Sequence, residues 1–133
     1  PGTICLFDSK GNMLSKFEIY PIGSPLLPVN WKGDGQEYIF FSGDTVYGGL
    51  FDGRGNRVLG FPDDGHPILC CTALDLLGDP RDEIVLWDTE KMYIYTQDTQ
   101  FPGSSIYSPI RNLPCNESNY KGIISFPNYS RGS

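Results

Sequence analysis

Residues 7–12 read FDSKGN, and residues 51–56 read FDGRGN, a near-identical hexapeptide 44 positions further along the chain. Each copy lies between two apolar runs, so each predicts a hairpin closed by a D-x-x-G-N turn. Asp8 and Asp52 can accept hydrogen bonds from backbone amides of the turn, and the glycine of each copy can adopt a positive φ. The pair of hexapeptides therefore predicts two equivalent β-hairpins.

A second pair of motifs has nearly the same period. Residues 29–42 read VNWKGDGQEYIFFS, and residues 74–88 read LDLLGDPRDEIVLWD, a shift of 45 positions. Asn30 matches Asp75 in this alignment, and Gly-Asp follows three residues later in both copies. A repeat of 40–50 residues with about four short strands in each unit is typical of a β-propeller blade.

The predicted fold is therefore all-β, about two and a half propeller blades of four-stranded antiparallel sheet. The predicted units are 1–21 (the end of one blade), 22–65 (a blade), 66–108 (a blade) and 109–133 (a C-terminal tail with a closing strand). The predicted strands are 3–8 and 13–19; 26–31, 37–42, 45–52 and 57–61; and 68–75, 83–88, 91–97 and 104–108. Because closed propellers have about four to eight blades, we expect a part of a longer propeller or closure by self-association.

Composition limits the partners of the chain. The 133 residues carry 10 basic and 16 acidic side chains, a net charge of −6. An acidic surface repels nucleic acid and anionic membranes, and the sequence has no apolar run of the roughly 18 residues that a spanning helix needs. We therefore expect neither nucleic acid nor a membrane as a partner.

The segment that begins at Asp75 resembles a calcium loop. Asp75, Asp79 and Glu83 occupy the first, fifth and ninth positions of a D-x-[DN]-x-D-G-x-x-[DE] pattern. Calcium binds six to eight hard oxygen ligands, so carboxylates spaced around a tight turn suit it. The alternative is a purely structural turn, in which the aspartates accept turn amides and Arg81 pairs with a nearby carboxylate.

Polar residues near the C-terminus suggest a secreted, sugar-binding protein. Asn116 and Asn128 each begin an N-x-S triplet and are predicted N-glycosylation sites, which favours an extracellular location. Arg111, Asn119 and Tyr120 lie in a polar stretch that could bind a polyhydroxylated ligand, with a plain solvated loop as the alternative.

His66 is the only histidine, so no Ser-His-Asp or Cys-His catalytic arrangement can be argued from the sequence. It follows Asp63-Asp64-Gly65 in a predicted blade-connecting turn. We expect a structural or solvated side chain there, with a general base or metal ligand as the alternative.

Residues 75–98, DLLGDPRDEIVLWDTEKMYIYTQD, together with the polar motifs of 106–120, resemble the C-terminal blades of rhamnogalacturonan lyases. The shorter D-x-x-G-D-x-x-x-E element is shared with calcium-binding FG-GAP propellers. The resemblance implies a secreted propeller enzyme with bound calcium that cleaves pectin, an acidic plant polysaccharide, by β-elimination. Family loops carry aspartates where this sequence has Lys32 and Leu77.

The lyase hypothesis leaves the catalytic residues unassigned. Such a reaction needs a base and a cation that neutralises the uronate carboxylate. Lys121, Arg111 and Arg81 are candidate cations, but none lies in a family catalytic motif, and the chain alone is expected to be inactive. The competing hypotheses are a non-catalytic propeller that binds glycan or protein, and a β-rich chain that self-assembles through open sheet edges.

Overall fold

A computed structural model describes residues 2–20, 26–68 and 70–103, with the backbone of 109–110 and 128–129 in addition. The regular secondary structure in this part of the chain consists of eleven β-strands, and no helix is present there. None of the described residues therefore forms a helix that could cross a membrane. The all-β prediction is confirmed.

The strands form antiparallel sheets in which sequence neighbours pair. Sheet A contains β1 (Gly2–Phe7) and β2 (Met13–Ile19); sheet B contains β3 (Leu27–Val29), β4 (Tyr38–Phe40), β5 (Leu50–Phe51) and β6 (Arg57–Leu59). Sheet C contains β7 (Cys70–Leu74), β8 (Glu83–Trp87) and β9 (Met92–Tyr95); sheet D contains β10 (Pro109–Ile110) and β11 (Asn128–Tyr129).

Most of the predicted strands are confirmed, but one is much shorter than expected. Only Leu50–Phe51 of the predicted strand 45–52 is extended. The Asp44 carboxylate accepts the amides of Val46 at 2.9 Å and Tyr47 at 2.7 Å, and this closes a turn instead. The predicted strand 104–108 lies outside the described residues.

The two D-x-x-G-N turns have the same hydrogen bonds. Asp8 Oδ1 accepts the amides two and four residues further on, each at 2.8 Å, and Asp52 Oδ1 accepts the equivalent pair at 2.9 Å. The turn glycines, Gly11 and Gly55, have φ of 84° and 86°. Hydrogen bonds from the turn, led by that from the asparagine side chain, lower the pKa of both aspartates.

Sheet B packs between sheets A and C. Phe40 of β4 lies in a buried cluster with Ile84 and Leu86 of sheet C. The residues on either side of Phe40, Ile39 and Phe41, belong to a second cluster with sheet A. This alternation is the two-residue period of a strand that is covered on both faces.

Candidate functional site

The candidate site is built from the loops that join the first and second strands of sheets B and C. Asn30 Oδ1 accepts the Gly33 amide at 3.2 Å, and Asp75 Oδ1 accepts the Gly78 amide at 2.6 Å. Both glycines have positive φ, 70° and 81°. The loops thus share their backbone path and not only their residue pattern.

The equivalence continues along both loops. Asp34 Oδ1 accepts the amide two residues on at 3.0 Å, and Asp79 Oδ1 accepts the corresponding amide of Arg81 at 2.8 Å. Asp44 and Asp88 form a further equivalent pair that the sequence analysis missed, although their 44-residue offset could have revealed it. Asp88 accepts the amides two and three residues on, as Asp44 does in sheet B.

The three predicted calcium ligands all accept hydrogen bonds from protein groups. Asp79 forms an ion pair with Arg81, 2.7 Å from Oδ2 to Nη2. Glu83 Oε2 accepts the amide of Leu76 at 2.7 Å. The other carboxylate oxygen, Glu83 Oε1, is buried and has no hydrogen-bond partner within the described residues.

One of the three predicted calcium ligands, Asp79, is engaged in an ion pair. Asp79 is neutralised by Arg81, and among the described residues no three acidic, histidine or cysteine side chains are grouped as metal ligands would be. A cation would have to displace the guanidinium before it could share Asp79. Calcium at Asp75, Asp79 and Glu83 stays a prediction, made from the loop pattern and from the family resemblance.

Arg81 connects this loop with residues 96–102. Only 6% of the residue is exposed. Its guanidinium donates to the Thr99 carbonyl at 2.7 Å and lies 5.4 Å from the centre of the Phe101 ring. The hydrogen bond between their side chains lowers the pKa of Asp79 and raises that of Arg81, so the pair stays charged.

The loop of sheet B carries a cation in place of an acidic ligand. Lys32 Nζ lies 5.5 Å from the centre of the Tyr38 ring. Hydrogen bonding to Tyr38 raises the pKa of Lys32. Lys32 and Tyr38 correspond to Leu77 and Glu83 in the repeat, so this copy presents an exposed positive charge.

Two clefts flank Arg81. The first, of about 410 Å³, is lined by Leu77, Asp79, Gln97, Asp98, Thr99, Gln100 and Phe101. The second, of about 440 Å³, is lined by Trp31, Lys32, Leu59, Thr96, Gln97, Asp98, Thr99 and Pro102. Gln97 lines both, and its Nε2 donates to the Asp82 carbonyl at 2.9 Å. Its other amide atom, Oε1, is buried with no partner in the described part of the chain.

His66 lies at a junction between sheets B and C. Its Nδ1 is 2.6 Å from Asp64 Oδ1, its Nε2 is 2.5 Å from the Gly43 carbonyl, and its side chain is 2% exposed. The Tyr95 hydroxyl donates to the same Asp64 carboxylate at 2.8 Å. This buried position agrees with the expected structural role.

The remaining predicted site residues lie outside the part of the chain whose side chains the structure describes. Arg111, Asn116, Asn119 and Tyr120 lie outside the described residues. Asn128 begins β11, where the backbone alone is described. The predicted substrate-binding and glycosylation residues therefore stay predictions. Of the residues that line the clefts, Asp79 and Arg81 had been singled out in the sequence, whereas Gln97, Thr99 and Phe101 were found only from the structure.

Comparisons with known proteins give no relative for this chain. No protein-family model, no curated protein and no solved structure matches it.

Proposed function

We propose that this chain is part of a secreted, rhamnogalacturonan lyase-like β-propeller, and that its described residues supply a polysaccharide-binding cleft and no catalytic centre. The observation that carries the binding role is the pair of clefts on either side of Arg81. They share Gln97 and follow the loops of two successive repeats. The lyase assignment itself depends on the motif of residues 75–98.

The chemistry of the second cleft suits a sugar chain. Trp31 offers an aromatic face against which the C–H groups of a sugar ring can pack. Thr96 and Thr99 are exposed in this cleft and offer hydroxyl groups to the sugar hydroxyls. Lys32 is exposed and positively charged, so it can pair with a uronate carboxylate although the chain is acidic overall.

The repeat supports the propeller part of the proposal. The loops of sheets B and C have equivalent hydrogen bonds, and the three sheets A, B and C pack face to face in chain order. Blades of a propeller are antiparallel sheets packed in this manner. Further blades would be needed to close the ring.

Calorimetric titration with rhamnogalacturonan oligosaccharides tests the binding role. We expect binding that falls at least several-fold in Lys32→Gln, because an exposed charge is removed without disturbing the core. Lys10→Gln is the matched control, since Lys10 is exposed on the turn of sheet A. Undiminished binding by Lys32→Gln, or no binding by the unaltered chain, would overturn the assignment of the cleft.

The same samples test the catalytic part. We expect no unsaturated uronate ends, which absorb ultraviolet light, after incubation of this chain with the polysaccharide and calcium. Product formed by this chain would show that it holds a catalytic centre. A product formed by a longer form of the protein, and absent for this chain, would support the lyase assignment.

The extracellular prediction is tested by the mass of the protein before and after removal of N-glycans. We expect the protein recovered from eukaryotic cells to lose mass on enzymatic removal of N-glycans, and to lose less when Asn116 or Asn128 is replaced by Gln. An unchanged mass in the unaltered protein would contradict the extracellular prediction.

A further inference from the structure

Two exposed tyrosines are in ring contact at one end of sheets A and B. Tyr20 directly follows β2, and Tyr47 lies in the turn between β4 and β5. Their ring centroids are 5.2 Å apart and the ring planes are tilted by 43°, which is the spacing of aromatic side chains in direct contact. Tyr20 is 60% exposed and Tyr47 is 52% exposed, so solvent reaches both rings.

Hydrogen bonds on two sides fix the turn that carries Tyr47. The Asp44 carboxylate accepts the Tyr47 backbone amide from within the turn. From β6, the Arg57 guanidinium donates to the backbone carbonyls of Thr45 at 2.9 Å and Val46 at 3.0 Å. The backbone at Tyr47 is therefore held in a defined position.

A buried neighbour places Tyr20 beside this turn. Ile19, the last residue of β2, lies in the apolar cluster that also contains Phe41, the residue after β4. The chain leaves this cluster towards Tyr20 in sheet A and towards Tyr47 in sheet B. The ring contact thus depends on the packing of the two sheets, although 27 positions separate the tyrosines.

A second tyrosine pair provides a comparison within the same chain. The ring centroids of Tyr93 and Tyr95 are 6.5 Å apart, and both residues are only partly exposed. The Tyr95 hydroxyl donates to the Asp64 carboxylate at 2.8 Å. Burial, together with this hydrogen bond, raises the pKa of Tyr95. The phenol of Tyr95 is thus shielded and holds its proton, unlike the two open rings of Tyr20 and Tyr47.

We propose that Tyr20 and Tyr47 form a site of oxidative modification, at which a peroxidase that consumes hydrogen peroxide couples the two rings. Each phenol gives up one electron and one proton. The two phenoxyl radicals form a carbon–carbon bond between positions ortho to the hydroxyls, and the hydrogen of each bonding carbon moves to the phenol oxygen. The pair thus loses two hydrogen atoms, and one hydrogen peroxide is reduced to two waters. Proximity in the folded chain favours coupling within one molecule.

The new bond joins sheet A to sheet B covalently. The contact between these sheets includes a small apolar cluster and a hydrogen bond from the Ser15 hydroxyl to the Gly53 carbonyl. A cross-link between residues 20 and 47 restricts the unfolded chain, so it stabilises the folded one. The inference does not depend on the proposed sugar binding.

Oxidation of the dilute protein by a haem peroxidase and hydrogen peroxide tests the proposal. We expect a single-chain product that has lost the mass of two hydrogen atoms and shows the blue fluorescence of coupled tyrosines. Trypsin cuts after Lys16, Lys32 and Arg54, so the two tyrosines fall in the separate peptides 17–32 and 33–54. We expect these two peptides to be recovered joined.

Variants identify the coupled residues. Tyr20→Phe and Tyr47→Phe should each abolish the joined peptide, because phenylalanine has no hydroxyl to oxidise. Tyr93→Phe is the matched control and should leave the yield unchanged. The midpoint of urea unfolding should be higher for the cross-linked protein than for Tyr47→Phe treated with the same oxidant.

Three results would overturn the proposal. One is the absence of the joined peptide after oxidation, and another is coupling that occurs only between separate chains. The third is a joined peptide that persists in Tyr47→Phe, which would place the bond on Tyr38, the other tyrosine of peptide 33–54. Urea unfolding of each variant before oxidation confirms that loss of coupling is not loss of folding.

Discussion

Asn30 and Asp82 join sheets B and C through two hydrogen bonds, although 52 positions separate them. The Asn30 backbone amide donates to Asp82 Oδ2 at 2.6 Å, and the Asp82 backbone amide donates to the Asn30 backbone carbonyl at 2.9 Å. The Asn30 side chain donates in addition to the Pro80 carbonyl. Asn30 has no exposed surface and Asp82 is 4% exposed. This junction holds the two loops of the candidate site against each other.

We predict that Asp82→Ala destabilises the fold by about 2–3 kcal/mol, because it leaves the buried Asn30 amide without its charged acceptor. Asp82→Asn keeps an acceptor oxygen, so a smaller loss is expected. Urea unfolding measures both, with the exposed Asp63 replaced by Ala as the control. Equal stability of Asp82→Ala and the control would show that the junction contributes nothing.

Two equivalent glycines, Gly33 and Gly78, allow the cost of backbone strain to be measured separately from the cost of steric overlap. Gly33 and Gly78 both have positive φ. A Cβ on Gly33 would lie 2.7 Å from the Phe101 ring, whereas a Cβ on Gly78 would meet no atom within 4 Å. We predict that Gly78→Ala costs about 1 kcal/mol for the left-handed backbone alone, and that Gly33→Ala costs more.

The comparison is completed by a double variant. In the background of Phe101→Ala, the cost of Gly33→Ala should fall towards that of Gly78→Ala, because the overlapping ring is gone and only the Arg81 Cγ contact at 3.1 Å remains. Thermal or urea unfolding gives the free energy of unfolding of the unaltered protein, the three single variants and the double variant. A cost of Gly33→Ala that is the same with and without the ring would contradict the overlap.

His66 is the second buried connection between the sheets. Its ring nitrogens lie 2.6 Å from the Asp64 carboxylate and 2.5 Å from the Gly43 carbonyl, so the ring bridges the loop before sheet C and a loop of sheet B. We predict that His66→Ala costs about 2–3 kcal/mol and Tyr95→Phe about 1 kcal/mol, since the latter removes one hydroxyl donor from Asp64. Denaturant unfolding at neutral pH measures the free energy of unfolding of both variants, and we expect the larger loss in His66→Ala. An unchanged free energy of unfolding in His66→Ala would contradict the role given to this junction.

Acid should destabilise the fold through its turn aspartates. Hydrogen bonds in the folded state lower the pKa of these carboxyls below the ordinary value of 3.8; the group comprises Asp8, Asp52, Asp64, Asp79 and Asp88. Burial opposes the shift at Asp64, but its bonds with His66 and Tyr95 prevail. A lowered folded pKa stabilises the protein above 3.8, and this contribution is lost as the pH falls through the folded value.

The measurement is the unfolding free energy in denaturant at a series of acidic pH values. We expect a steady decrease below the ordinary aspartate range, and a shallower decrease in Asp52→Asn, which cannot titrate. A free energy of unfolding that increases on acidification would contradict the stabilising role of these hydrogen bonds.

Local chemistry made much of this fold predictable from the sequence. The strands of sheets A and C follow apolar runs bounded by turn residues, and Asp8 and Asp52 close their turns as expected. The error at residues 45–52 is also local. Val46 and Tyr47 favour a strand, but the Asp44 carboxylate accepts their amides and stabilises a turn.

The connections between sheets could not be predicted in the same way. The hydrogen bonds between Asn30 and Asp82, and between Tyr95 and Asp64, can form only after the sheets have packed. No periodicity in the sequence encodes such distant pairs. The alternative of a structural turn predicted that Arg81 pairs with a carboxylate, and it does. Its contacts with Thr99 and Phe101 depend on the path of the following loop.

The D-x-x-G-N turn has a consequence for how such a chain can change its length. Each copy contains its own acceptor in Asp8 or Asp52 and its own positive-φ glycine, so it needs no partner from another repeat to close. Duplication of one 44-residue period in a gene would therefore add a hairpin that is already complete. An insertion of one residue within a strand would instead turn every later side chain of that strand to the opposite face. Whole periods are thus the increments by which this architecture can be lengthened during evolution.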